Sequence, residues 1–97
     1  MKIDIDFSIF CSPTDAYGCV TGTLDFEEIP DAGETVKLFD LEGQFNEFNG
    51  TLKVEHFIRE HNVLMFGGVV LNSSITADSL AEKLEMKYGL FVVKYHE

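Results

Sequence analysis

The sequence predicts an α+β fold. We expect a strongly bent, mostly antiparallel sheet of five or six strands, a partial barrel at the limit, with one C-terminal helix packed on it before the last strand. Three observations predict this. Residues 2–9 alternate polar and apolar side chains, Gly, Pro and Asn-Gly turn signals punctuate the first 62 residues, and one helical stripe near residues 76–88 precedes a final apolar run.

The first strand, Lys2 to Phe10, has the clearest period of two, with Ile3, Ile5, Phe7 and Ile9 on one face and Lys2, Asp4, Asp6 and Ser8 on the other. Residues 12–18 have loop chemistry, with Pro13 fixing φ and Asp15 able to bond backbone N–H groups. A second strand is expected from Val20 to Glu28, its apolar set being Val20, Leu24 and Phe26, followed by a turn over residues 29–33 and a third strand from Thr35 to Leu41. Asn49-Gly50 is a hairpin signal that would return a short strand at 44–48 into residues 51–59. Leu52, Val54, His56 and Ile58 fit a strand and Val54, Phe57, Ile58 and His61 a helix. β-branched Thr51 and Val54, with a turn at 60–62, favour the strand.

Val63 to Leu71 is nearly all apolar, with Gly67-Gly68 inside it, and reads as a covered strand carrying a bulge or close backbone approach. The helix follows, with Thr76 as expected cap, Asp78 in the first turn, and Gly89 as its end. Ala77, Leu80, Ala81, Leu84 and Tyr88 form its inner stripe, and Leu90 to Tyr95 is the last strand. The two apolar strands flanking the helix are expected to be central and parallel. One helix covers one face, so curling of the sheet or a second copy of the chain would close the other.

The chain has 97 residues, 45% of them hydrophobic, which suits a single domain over 1–97. Its formal charge is −10, and residues 1–50 hold eleven acids against two lysines, so −9 of that lies in the N-terminal half. An acidic chain without a basic cluster is repelled by nucleic-acid phosphates and anionic membranes, so neither is expected as a partner. No apolar run has membrane-spanning length, and the opening Met-Lys-Ile-Asp-Ile-Asp lacks a signal-peptide core, which points to a cytoplasmic protein.

Catalytic and cofactor motifs do not emerge. There is no Gly-x-Ser-x-Gly elbow, P-loop, dinucleotide fingerprint or His-Glu-x-x-His, and Asp4-Ile5-Asp6 lacks a calcium loop around it. No metal, cofactor or catalytic residue is therefore assigned. Cys11 falls on the inner set of the first strand and Cys19 on the outer set of the second, so the alternation leaves two free thiols. His56 is expected to face the core. Phe45, Phe48 and Phe57 fit an inner face least well and would form an exposed apolar patch.

What stands out is charge placement. If the first two strands pair with their apolar faces matched, Asp4 and Asp6 share a face with Asp25 and Glu27, with Asp31 and Glu34 nearby. Like charges across a strand pair would repel by about 0.2–1 kcal/mol each and raise the carboxyl pKa values, making the protein more stable on mild acidification. The expectation is a small acidic non-enzymatic binding protein, of inhibitor or immunity type, engaging a basic protein partner through Asp4, Asp6, Asp25, Glu27, Asp31 and Glu34. Two alternatives stand beside it. One is a ligand-binding domain or enzyme with a pocket near His56 and a free cysteine, and the other a structural homo-oligomer such as a homodimer.

Overall fold

A computed structural model describes residues 1–41 and 48–95. The short strand expected at 44–48 therefore lies, Phe48 apart, outside the described residues. The described elements are β1 (Lys2–Ser12), β2 (Asp15–Asp25), β3 (Thr35–Lys37), β4 (Thr51–Ile58), β5 (Val63–Phe66), β6 (Val69–Val70), α1 (Ser74–Tyr88) and β7 (Phe91–Lys94). They form one mixed seven-stranded sheet in the order β3-β4-β5-β1-β2-β7, with β6 continuing the line of β5 along β1. The helix packs on one face, as the sequence predicts, and the sheet is open rather than closed into a barrel.

Alternation in β1 organises the core. Ile3, Ile5, Phe7 and Ile9 are all fully buried, and each such side chain contributes about 1.5–3 kcal/mol by leaving water. A one-residue slip would turn all four outward, which would consume most of the stability typical of a small domain. The β1–β2 hairpin is tighter than expected: Ser12 pairs with Asp15, so Pro13 and Thr14 alone make the turn, and register shifts near Ile9 and Phe10 absorb the irregular residues. Both strands thus extend into the segment predicted as loop.

Helix α1 presents Ala77, Leu80, Ala81 and Leu84 to this core. Its cap is Ser73 rather than Thr76: the Ser73 side chain accepts the Thr76 N–H at 3.1 Å. Asp78 consequently lies beyond the first turn, free to bond elsewhere. Gly89 ends the helix in the left-handed region and returns its N–H to the Leu84 carbonyl. Beyond β3, residues 38–41 leave the ladder as a strap across the core. Leu38 and Phe39 both donate to the Gly50 carbonyl, at 2.8 and 3.3 Å. The Phe39 ring lies 4.8 Å from Tyr88 and 6.2 Å from Phe7, centroid to centroid. That strap replaces the longer third strand the pattern suggested.

Two further expectations are corrected. The apolar strands flanking α1 run in the same direction, but β1 and β2 lie between them, and β7 is an edge strand rather than a central one. Of its apolar residues only Val92 packs against the core: Phe91 and Val93 are exposed, as is Tyr95 just beyond it. Second, Phe48 is buried and Phe57 packs against the core, so neither joins an exposed patch; Phe45 lies outside the described residues.

Candidate functional site

The helix-free face of the sheet is where three of the six predicted acidic residues, Asp4, Asp6 and Asp25, meet. Pairing of β1 with β2 sets Ile3 opposite Leu24 and Phe7 opposite Val20, so even positions of β1 share a face with odd positions of β2. Asp4, Asp6 and Asp25 therefore lie on that one face. The register avoids the expected repulsion. Asp4 stands opposite Thr23, Asp6 opposite Thr21, and Asp25 opposite Lys2. The Thr23 hydroxyl donates to Asp4 Oδ1 at 2.6 Å. Asp25 lies 2.9 Å from the Met1 ammonium, whose hydrogen bond and charge hold its carboxyl below the usual carboxylate range. Predicted stabilisation by mild acid thus loses its premise, because threonines rather than carboxylates sit across from Asp4 and Asp6.

On their other side, Asp4 and Asp6 pair with Val63 and Met65 of β5. Neither strand neighbour offers a cation. Glu27 is exposed beyond the end of β2 and lines, with Asp25, Phe26, Val36 and Lys37, a cleft of about 250 Å³ where the bent sheet brings β3 toward that end. Asp31 and Glu34 are exposed but held apart from the strand acids. The Asp31 N–H donates to Glu34 Oε2 at 2.5 Å, and the Val54 N–H to the Glu34 carbonyl at 2.8 Å, which ties this pair to β4. The structure therefore brings Asp4, Asp6 and Asp25 together and seats Asp31 and Glu34 beside β4, two strands from β1.

His56 does not face the core. A register shift between Val54 and His56 marks a bulge at Glu55, which resets the alternation: Val54 stays buried, His56 is exposed opposite Met65, and Phe57 takes the inward position. The bulge is why a strict period of two misplaced it. His61 is exposed in the turn before β5.

A cleft of about 900 Å³ does involve a cysteine, though not His56. It lies between the β1–β2 turn, the start of α1 and β7, with Cys11, Asp15, Tyr17, Ser74, Asp78 and Lys94 in its lining. Tyr17 donates its hydroxyl to Asp78 Oδ1 at 2.5 Å, and Lys94 Nζ stands 3.0 Å from the same oxygen and 5.6 Å from the Tyr17 ring centroid. The Tyr17 hydroxyl and Lys94 together hold the Asp78 carboxyl low. Burial and the Asp78 hydrogen bond raise the Tyr17 phenol. The Cys11 thiol, 3.3 Å from Asp15 Oδ2, is also raised, chiefly by that hydrogen bond. A thiol and a phenol kept protonated, beside an ammonium already paired, form no activated nucleophile. Sequence reasoning missed this cluster because its members come from four elements and Tyr17 and Asp78 are 61 positions apart.

Among the described residues no group of His, Cys, Asp and Glu is arranged to hold a metal ion, and no helix is long and apolar enough to cross a membrane. No family model matches the chain, and neither a curated protein nor a solved structure matches it, so the candidate site stands on its geometry alone.

Proposed function

We propose that this chain is a small, acidic, non-enzymatic binding protein that engages a basic protein partner through the helix-free face of its sheet, in the manner of an inhibitor or immunity protein. The observation that supports this reading is the placement of Asp4 and Asp6 in the middle strand of that face, flanked by threonines on β2 and apolar side chains on β5. Carboxylates left without a cation in either neighbouring strand are available to an incoming one. With a formal charge of −10, such a face would steer association and select against acidic competitors more than it would add affinity.

The test is capture of partners from the native host on the immobilised chain, at low and high salt, beside the Asp4→Asn/Asp6→Asn variant. A basic protein retained at low salt, released at high salt and lost with the variant is the expected result. Recovery of no basic protein, or retention indifferent to ionic strength, overturns the proposal.

A further inference from the structure

The helix-free face is not uniformly acidic. β7 pairs with β2 so that Phe91 stands opposite Thr21 and Val93 opposite Cys19, which places both on the face carrying Asp4 and Asp6. Phe91 is 68% and Val93 58% exposed. At the same end of the sheet Val70, 51% exposed, stands opposite Phe10 on β6 and β1. Phe10 packs against Gly68, where a side chain's Cβ would come within 2.7 Å of its ring. The face is therefore apolar along β7 and at Val70, while Asp4, Asp6 and Asp25 charge it on β1 and β2.

We infer that the partner docks with an amphipathic basic segment, its apolar side seated on Phe91 and Val93 and its cations over Asp6 and Asp4. This rests on the reading of that face as the docking surface and specifies what the surface selects. Phe91, Thr21 and Asp6 form one row across β7, β2 and β1. Two strand spacings separate the ends of that row, about 10 Å. A helix with its side chains is about 10–12 Å across, so one segment covers both ends without bending. Charge complementarity decides the occupant. A second copy laid on this face would oppose carboxylates with carboxylates at −10 per chain, whereas lysines or arginines flanking an apolar stripe satisfy both ends together.

Two synthetic helices of equal length and lysine content test this, one with leucines on the face opposite the lysines and one with serines there. Binding to the intact protein is measured by calorimetry at low salt, for the wild type, Phe91→Thr/Val93→Thr and Asp4→Asn/Asp6→Asn. The threonine changes lie at exposed positions, and circular dichroism verifies the fold. We expect the leucine peptide to bind at least about tenfold more tightly, the size of one large apolar side chain leaving water. Phe91→Thr/Val93→Thr should erase that preference while sparing the serine peptide, and Asp4→Asn/Asp6→Asn should weaken both. Equal binding of the two peptides, or a preference untouched by the threonine changes, overturns the amphipathic inference and leaves the acidic face standing. Failure of both peptides to bind overturns the reading beneath it. A wild-type dimer in sedimentation that the threonine variant dissolves would assign the apolar part of the face to a second copy and also overturn the inference.

Discussion

Gly50→Ala should be among the most destabilising single substitutions outside the core. Gly50 has φ +98°, a region that costs an L residue about 1–2 kcal/mol. An added Cβ would also overlap the Phe39 carbonyl oxygen and stand 2.6 Å from its carbonyl carbon. These are backbone atoms, so no side-chain rotation relieves the clash; the strap at 38–41 must move. That strap carries Phe39 and Leu41 into the core, 1% and 0% exposed. Displacing it sacrifices part of the 3–5 kcal/mol that a buried Phe typically represents. A total loss of about 3–5 kcal/mol follows, against a stability of 5–15 kcal/mol for domains of this kind. Gly89→Ala is the matched control, because Gly89 has φ +68° with nothing within 4 Å of an added Cβ; it should lose only about 1–2 kcal/mol. Urea unfolding followed by circular dichroism, with equal m values, reads the difference directly. In thermal melts each kcal/mol corresponds to about 4–8 °C. If Gly50→Ala unfolds within about 0.5 kcal/mol of Gly89→Ala, a typical error in comparing distant sites, the account of the strap is refuted.

Two further outcomes concern the cleft beside α1. The lowered Asp78 carboxyl contributes stability that is complete above the ordinary carboxylate pKa and lost as pH falls through its lowered folded value. Asp78→Asn should therefore flatten the acid limb of the stability curve, and acid melts in which wild type and variant decline in parallel would contradict it. Because hydrogen bonding to Asp15 keeps the Cys11 thiol protonated, Asp15→Asn in a Cys19→Ser background should speed alkylation by iodoacetamide near neutral pH; unchanged rates would remove Asp15 from that role.

Much of the fold was legible because it depends on short-range periodicity. Apolar residues at every second position from Ile3 to Ile9, and at helical spacing from Ala77 to Leu84, commit those segments to a face whatever surrounds them. Gly89 similarly marks a helix end through its own backbone freedom. The cap was misjudged by three residues because Ser73 and Thr76 are both suitable and only the path of the chain into the helix chooses between them. His56 was misplaced because a bulge inserts one residue, and no pattern of side chains announces it. The common face of Asp4, Asp6 and Asp25 was legible from matching apolar faces, while the register that spares them mutual repulsion was not.

Composition and alternation by themselves determined an acidic α+β domain, the buried set of β1 and the stripe of α1, since these follow from local geometry and the cost of exposing apolar surface. Tertiary structure alone decided that β7 is an edge, that Tyr17 meets Asp78, and that threonines stand across from Asp4 and Asp6. Those outcomes depend on which strands become neighbours and in what register. Residues distant in the chain settle both together, by burying one continuous core.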